Sequence, residues 1–206
     1  MTDTSQVTSV MELLMKGGLI MIPIFLLSLI SIYLFIERYV YIRKATRIEP
    51  GVMNSIISEL KGKQVSKALG TARADESATG RIIESGIEQA GKPVGEVEAF
   101  IESATNLEIS MMEKDTGYLG IIAGVAPMLG FIGTITGVIK IFYNISLADN
   151  ISIGIIAGGL YQKMICSGAG LIVGVIAYAC YHYLQMMIDR YTISLQREVK
   201  EFLKVI

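Results

Sequence analysis

Three long stretches without a charged residue constrain this chain more than any other feature of its sequence. They cover residues 17–36, 116–139 and 164–188, which are 20, 24 and 25 residues long when His182 is counted as neutral. Because a helix rises about 1.5 Å per residue, about 20 residues cross the roughly 30 Å hydrocarbon core of a bilayer. One such stretch would fit a buried helix, but three exceed what a soluble core in a chain of 206 residues can bury. The sequence therefore predicts an all-α integral membrane protein with three transmembrane helices.

The composition agrees with a membrane protein and argues against several other classes. Hydrophobic residues make up 52% and charged residues 18% of the chain, whereas an ordinary soluble domain has about 25% charged residues. A disordered chain would need low hydrophobicity, and a nucleic-acid binder a basic surface, but the formal net charge here is −1. Two cysteines and one histidine exclude a disulfide scaffold, a four-cysteine zinc site and any site with several histidines. No cofactor and no metal are predicted.

Basic residues near the ends of the spans predict the orientation. Four of them follow the first span and four follow the third: Arg38, Arg43, Lys44, Arg47, Arg190, Arg197, Lys200 and Lys204. Since such residues stay in the cytoplasm, the N-terminus is predicted to be periplasmic and the C-terminus cytoplasmic. The predicted parts are a periplasmic N-terminal segment (1–16), the first transmembrane helix (17–37), a cytoplasmic helical segment (38–115), the second transmembrane helix (116–142), a short periplasmic loop (143–152), the third transmembrane helix (153–188) and a cytoplasmic C-terminal helix (189–206).

The first span is predicted to remain in the protein as an anchor. No basic region precedes it, and no small-x-small cleavage site follows it, so it differs from a signal peptide.

The cytoplasmic segment reads as a series of helices rather than an enzyme domain. Glycines at positions 62, 70 and 80 are predicted to separate short helices, and Pro93 suits the first turn of a new one. Apolar residues then recur at helical spacing, with no proline or clear turn before the second span. One continuous helix is therefore predicted over residues 94–142, extending far into the cytoplasm. The third helix is likewise predicted to continue well beyond residue 188, with its charged positions facing solvent.

The sequence spacing does not place any potential catalytic residues close enough to react with one another. Ser167 and His182 are 15 residues apart on one helix, about 22 Å along its axis, so they cannot exchange a proton within one chain. Cys166 and Cys180 are similarly separated and are interpreted as packing residues. No GxxxxGK[ST] loop is present. The chain is therefore predicted not to be an enzyme, and His182 is interpreted as a polar residue near the membrane interface.

Two helix faces combine small residues with hydroxyl groups. The face on the second span consists of Thr116, Gly120, Ala123, Pro127, Gly130, Thr134 and Gly137, and that on the third of Lys163, Ser167, Gly170, Gly174, Tyr178, Tyr181 and Gln185. In lipid, small faces allow helices to approach closely, and hydroxyls hydrogen-bond across helices or line a hydrated path. Helix packing is the preferred interpretation of the glycines. For Thr134 and Ser167, packing and transport are equal alternatives at this point.

Residues 17–36, 116–142 and 153–188 contain no aspartate or glutamate. A hydroxyl relays a proton through ordered water but holds no charge near neutral pH, so a proton path would need a carboxylate from another subunit. Lys163 can instead extend its ammonium group to the interface.

Two segments resemble a known family. Residues 126–137 read Ala-Pro-Met-Leu-Gly-Phe-Ile-Gly-Thr-Ile-Thr-Gly, which resembles the second-helix signature of the MotA/TolQ/ExbB proton-channel family. Residues 167–174 read Ser-Gly-Ala-Gly-Leu-Ile-Val-Gly, which resembles its third-helix pattern. The two motifs together are specific, and the resemblance covers the whole topology. Chain length and three spans favour the ExbB/TolQ branch over the four-span flagellar stators.

This resemblance implies a homopentameric ring in the bacterial inner membrane, around the single helices of an ExbD- or TolR-like partner that carries the intramembrane aspartate. Proton flow would then drive work on a TonB- or TolA-like protein for outer-membrane transport or envelope maintenance. Thr134 and Ser167 map onto the family's polar pair on the proton pathway, and Gln162 and Lys163 onto a possible start of that pathway. Packing and pore-lining positions are Gly120, Gly130, Gly133, Gly137, Gly170 and Gly174. The alternative is a membrane scaffold that binds a partner without conducting.

Three positions depart from the family pattern. Ser167 stands where threonine is usual, Gln162 where glutamate is common, and Ile176 where proline is common, so the third helix is expected to be straighter. A separate argument for a ring comes from the second span. In a lone three-helix unit, the face with Gly120, Gly130 and Thr134 is expected to be turned to lipid with nothing to pack against it.

Overall fold

A computed structural model describes residues 18–47, 51–147 and 153–206, and within these ranges all regular structure is helical. The helices are α1 (Met21–Ala45), α2 (Val52–Lys61), α3 (Val65–Ala74), α4 (Ala78–Ile87), α5 (Val94–Glu113), α6 (Thr116–Ser146) and α7 (Ile153–Leu203). Three stretches are long and apolar enough to cross a membrane, namely Met21–Ala45, Val94–Ser146 and Ile156–Leu203. The predicted all-α fold class with three spans is confirmed. The predicted segment 1–16 and part of the loop 143–152 lie outside the described residues, and the exact membrane boundaries stay predictions.

The predicted continuous helix over residues 94–142 is wrong, because the chain breaks between α5 and α6. Lys114 leaves the helix with φ −48° and ψ 133°, and Asp115 adopts a left-handed φ of 63°. The hydroxyl of Thr116 donates to the carbonyl of Glu113 at 2.7 Å where α6 begins. Aspartate is one of the few residues besides glycine that adopt this conformation readily, so the chain needs neither proline nor glycine to break here.

Arg38, on α1, stabilises the broken end of α5. Its side chain is 9% exposed and forms an ion pair with Glu37. Its Nη1 donates to the carbonyl of Met111 at 3.3 Å, and its Nη2 lies 3.9 Å from the carboxylate of Asp115. The last carbonyl groups of a helix have no partner inside that helix, so this guanidinium replaces a missing donor.

The chain divides into two compact units. The membrane unit contains the described residues 18–35, 117–147 and 153–181, and the bundle unit contains 36–47, 51–116 and 182–206. Large apolar side chains on the surface characterise the membrane unit: Met128, Phe131, Ile172 and Val175 are between 62% and 66% exposed. Such a surface suits hydrocarbon rather than water.

The bundle unit has an interior of large apolar side chains. In it α2 packs against α3, α3 against α4, and α4 against α5. Gly86 of α4 lies against Ile101 of α5 and Phe202 of α7, since a Cβ at Gly86 would come within 2.8 Å and 3.0 Å of their side chains. Ser77 caps α4 by accepting a hydrogen bond from the backbone N–H of Gly80 at 3.1 Å.

Two of the three glycines expected to separate short helices do not do so. Gly62 ends α2, but Gly70 and Gly80 lie inside α3 and α4. At Gly80 a Cβ would lie 2.3 Å from the carbonyl oxygen of Asp75, so close backbone packing explains this glycine better than a helix boundary does.

Candidate functional site

The two small-residue faces meet each other within one chain. A Cβ at Gly170 of α7 would lie 2.5 Å from the carbonyl oxygen of Ala126, and a Cβ at Gly130 of α6 would lie 3.0 Å from the Cα of Ser167. These are contacts between backbones, which a side chain at either glycine would push apart. The spacing of the glycines therefore sets how closely α6 and α7 approach.

Gly174 makes room for the proline inside α6. Pro127 lacks an N–H group, so the carbonyl of Ala123 has no helical donor there, yet α6 continues through this position. A Cβ at Gly174 would lie 2.5 Å from the Cγ of Pro127 and 2.9 Å from the oxygen of Ala123. On the other helix, where Ile176 replaces the proline common in the family, α7 runs without a break from Ile153 to Leu203.

The side chain of Lys163 covers Gly137. A Cβ at Gly137 would lie 2.1 Å from the Cγ of Lys163, so only glycine leaves space for the methylene stem. The stem carries Nζ towards the start of α1, to 3.7 Å from where a Cβ of Gly18 would be. As a possible start of a proton path, Lys163 therefore points towards α1. The side chain of Gln162 lies outside the described part of the structure.

The remaining predicted glycines belong to the same contact. A Cβ at Gly133 would lie 2.8 Å from the Sγ of Cys166, and one at Gly120 would lie 3.8 Å from the ring of Tyr181. Sequence reasoning missed Gly159, where a Cβ would lie 2.7 Å from Ile141. The signal was present, because Gly159 precedes Lys163 by one helical turn and extends the same face.

The expectation that the face with Gly120, Gly130 and Thr134 has nothing to pack against in a lone chain is wrong. This face packs against α7 of the same chain, because both helices carry small residues at matching heights. A ring must therefore be argued from other surfaces.

Thr134 and Ser167 lie one helical turn apart along this contact. The hydroxyl of Thr134 donates towards two carbonyl oxygens, that of Gly130 at 3.3 Å in its own helix and that of Lys163 at 3.1 Å in α7. Gly130 packs on Ser167, and Thr134 bonds to Lys163 one turn further along the contact, so one helical turn separates Thr134 of α6 from Ser167 of α7. Both residues are half-buried.

The described residues of this contact include no acidic side chain. The described part of the membrane unit contains no aspartate or glutamate, and its basic residues are Lys140 and Lys163. Hydroxyls and carbonyl oxygens bind and relay protons through hydrogen bonds, but a site made only of them does not change charge. Cys166 is buried beside Met21 and Ile24 of α1, which is a packing position.

Comparison with known proteins decides the family. The model of the MotA/TolQ/ExbB proton channel family matches residues 74–197, which include α4 to most of α7 and every residue of this contact. The chain belongs to this family. The predicted resemblance is therefore confirmed, as is the prediction that the chain is not an enzyme, because the family consists of channels.

Curated relatives of this chain carry ExbB and TolQ names. A putative biopolymer transport protein ExbB homolog of the archaeon Methanothermobacter thermautotrophicus is 30% identical over 88% of this chain and 64% of its own length. The Tol-Pal system protein TolQ of Haemophilus influenzae is 28% identical over 42% of this chain and 38% of its own. The biopolymer transport protein ExbB of Salmonella typhimurium is 25% identical over 41% and 34%. The chain thus spans less than two thirds of the archaeal relative.

Proposed function

We propose that this member of the proton channel family forms a proton path along the α6–α7 contact and works with a partner that supplies the charged group. The observation that carries the proposal is the pair of hydroxyl residues Thr134 and Ser167, one helical turn apart along the contact between α6 and α7, in a unit whose described residues include no carboxylate side chain. Moving a proton across hydrocarbon requires a group that changes charge, which a hydroxyl does not do near neutral pH. An ExbD- or TolR-like single-span subunit with an intramembrane aspartate would complete the path.

The proposal includes a ring of copies, by family resemblance a pentamer, with α6 and α7 lining its inside and α1 at its rim. Support comes from the apolar surfaces that flank the glycine contact on both helices, such as those of Phe131 and Val175, which are 62% and 66% exposed. The ring lies in the inner membrane with the bundle unit in the cytoplasm, and proton flow drives a TonB- or TolA-like protein in outer-membrane transport or envelope maintenance.

The first test measures proton flux into liposomes that contain this chain with and without its single-span partner. Flux is expected only with the partner, because the carboxylate is missing here. Rapid flux from the chain alone, lost on replacing His182 by alanine, would place the titrating group in this subunit and overturn the proposal.

The second test removes one hydroxyl. Thr134→Val keeps the shape of the side chain and is expected to reduce partner-dependent flux to background while the complex still assembles. Thr136→Val is the matched control, since the hydroxyl of Thr136 bonds only within its own helix, to Ile132 at 2.9 Å and Gly133 at 3.2 Å. Full flux in Thr134→Val would reduce this hydroxyl to a packing element.

A third test concerns Ser167. Ser167→Ala is expected to lower flux as Thr134→Val does, whereas Ser167→Thr restores the residue usual in the family and is expected to be tolerated. Equal flux in Ser167→Ala and the unchanged protein would remove Ser167 from the pathway.

The second candidate function is a non-conducting scaffold. The observation that favours it is the hydroxyl of Thr134, which bonds to backbone carbonyls as helix-packing hydroxyls do. A complex that purifies intact with its partner but shows no flux above empty liposomes would establish this function in place of the first.

A further inference from the structure

Glu198, on the last part of α7, has an unusual environment. Among the residues that the structure describes, its Oε2 is the one buried side-chain oxygen or nitrogen without a hydrogen-bond partner. Nearly all buried polar atoms in folded proteins have a partner, so each exception calls for a physical explanation. The channel function proposed above makes no use of this residue.

The carboxyl group of Glu198 borders a small cavity of about 10 Å³ inside the bundle unit. The other lining residues are Val52, Met53, Ile56, Asp75, Thr79, Gly80 and Ile83. A cavity of this size has room for about one water molecule at most. The lining residues on α2 and α4 are uncharged, and none of the lining residues is lysine, arginine or histidine.

Asp75 is the other charged group at this cavity. Its carboxylate accepts hydrogen bonds from the backbone N–H of Ser77 at 2.9 Å and from the hydroxyl of Ser77 at 2.8 Å. Glu198 therefore shares its cavity with a second acidic side chain, whose oxygens already have hydrogen-bond donors.

Among the described residues no cation pairs with Glu198, and Arg81, which follows Gly80 in α4, already has a partner. The guanidinium of Arg81 is engaged by both oxygens of Glu108 at 2.6 Å and 2.7 Å. On α7 itself, Tyr191 shares a hydrogen bond with Thr79 at 3.1 Å, and burial raises the pKa of its phenol to about 12, so it carries no charge. The charged neighbours of Glu198 along α7, Arg197 and Lys200, are exposed to solvent.

We propose that Glu198 is a proton-binding site through which the bundle unit responds to the pH of the compartment around it. When a proton from solvent adds to the carboxylate, Glu198 becomes neutral and its new O–H can donate across the cavity, where Asp75 and Thr79 offer acceptors. When the proton leaves, two negative charges face each other in an apolar cavity, and the end of α7 loosens from α2 and α4.

The direction of the effect follows from linkage. Burial, first, and the charge of Asp75, second, raise the pKa of Glu198 above its ordinary value. The folded bundle then binds this proton more tightly than the unfolded chain does. The stability of the bundle therefore rises as pH falls through the window between the two pKa values, and is lost as pH increases through it.

Hydrogen exchange of the full chain in lipid nanodiscs, followed by mass spectrometry at several pH values, tests the site. After correction for intrinsic exchange, protection of the peptide containing residues 191–203 is expected to fall with rising pH, by about tenfold for each unit by which the pKa of Glu198 is raised. Glu198→Gln, which is neutral at every pH, is expected to remove this dependence and to be the better protected protein at pH 8.

Two further variants make the result specific. Glu201→Gln changes an exposed carboxylate on the same helix and is expected to follow the unchanged protein. Asp75→Asn removes the neighbouring charge and is expected to shift the transition to lower pH. The proposal is overturned if the unchanged protein shows no pH dependence, if Glu198→Gln keeps it, or if Glu198→Gln is less protected at every pH.

Discussion

The membrane unit and the bundle unit are both helical, but their helices are held together by opposite means. In the bundle unit, large side chains such as Ile82, Ile87 and Phe202 are fully buried or nearly so, and charged residues pair at the edges. In the membrane unit, the closest contacts are made where side chains are missing, as at Gly130 and Gly170.

The difference follows from the solvent of each unit. Water drives apolar side chains into the interior of the bundle. Lipid tails are as apolar as leucine, so helices in a bilayer associate mainly through close packing and hydrogen bonds between them. Substitutions that disrupt one mode of packing or the other therefore test this difference directly.

The largest effect is expected from adding a side chain to the glycine contact. Gly170→Val would place its Cβ 2.5 Å from the backbone oxygen of Ala126, so the two helices would have to move apart along the whole contact. A large loss of monodisperse protein is expected on size-exclusion chromatography in detergent. Gly168→Val is the control, because its Cβ would have no atom within 4 Å. Equal losses in both variants would show that close approach is not what holds α6 and α7 together.

A smaller effect is expected from breaking the ion pair in the bundle unit. Arg81→Ala leaves the side chain of Glu108, which is 6% exposed, without its partner. Such a loss costs about 3–5 kcal/mol for a fully buried pair, and less is expected here since Arg81 is 44% exposed.

Thermal unfolding measures this loss. Arg73→Ala, which removes exposed pairs with Glu84 and Glu88, is expected to change the unfolding temperature little, because exposed ion pairs contribute little to stability. If the two variants unfold at the same temperature, the pair that Arg81 forms with buried Glu108 stabilises the protein no more than the exposed pairs of Arg73 do.

The smallest effect is expected at the junction between α5 and α6. Asp115→Ala places alanine in a left-handed conformation, which costs about 1–2 kcal/mol, whereas Asp115→Gly removes this strain. Alanine is therefore expected to lower the unfolding temperature and glycine to leave it nearly unchanged. The reverse order would show that the carboxylate of Asp115 beside Arg38 matters more than the backbone conformation.

Much of the candidate site was predictable because it depends on patterns along single helices. The spacing of Gly130, Thr134, Ser167 and Gly170 by three or four residues identified both faces. The sequence did not show that these faces meet within one chain, because pairing of helices depends on how the chain folds back. It also did not show the break at Asp115, because aspartate fits both a continuous helix and the left-handed conformation that ends one.

By itself the sequence determined the all-helical class, the three spans and the family, because hydropathy, length and small-residue spacing are local properties that a bilayer converts directly into structure. The tertiary structure alone decided that Thr134 reaches the backbone of α7, that Arg38 supplies a donor to the open end of α5, and that Glu198 faces an apolar cavity beside Asp75. Each of these depends on which groups surround a side chain, and that environment exists only after distant parts of the chain have packed together.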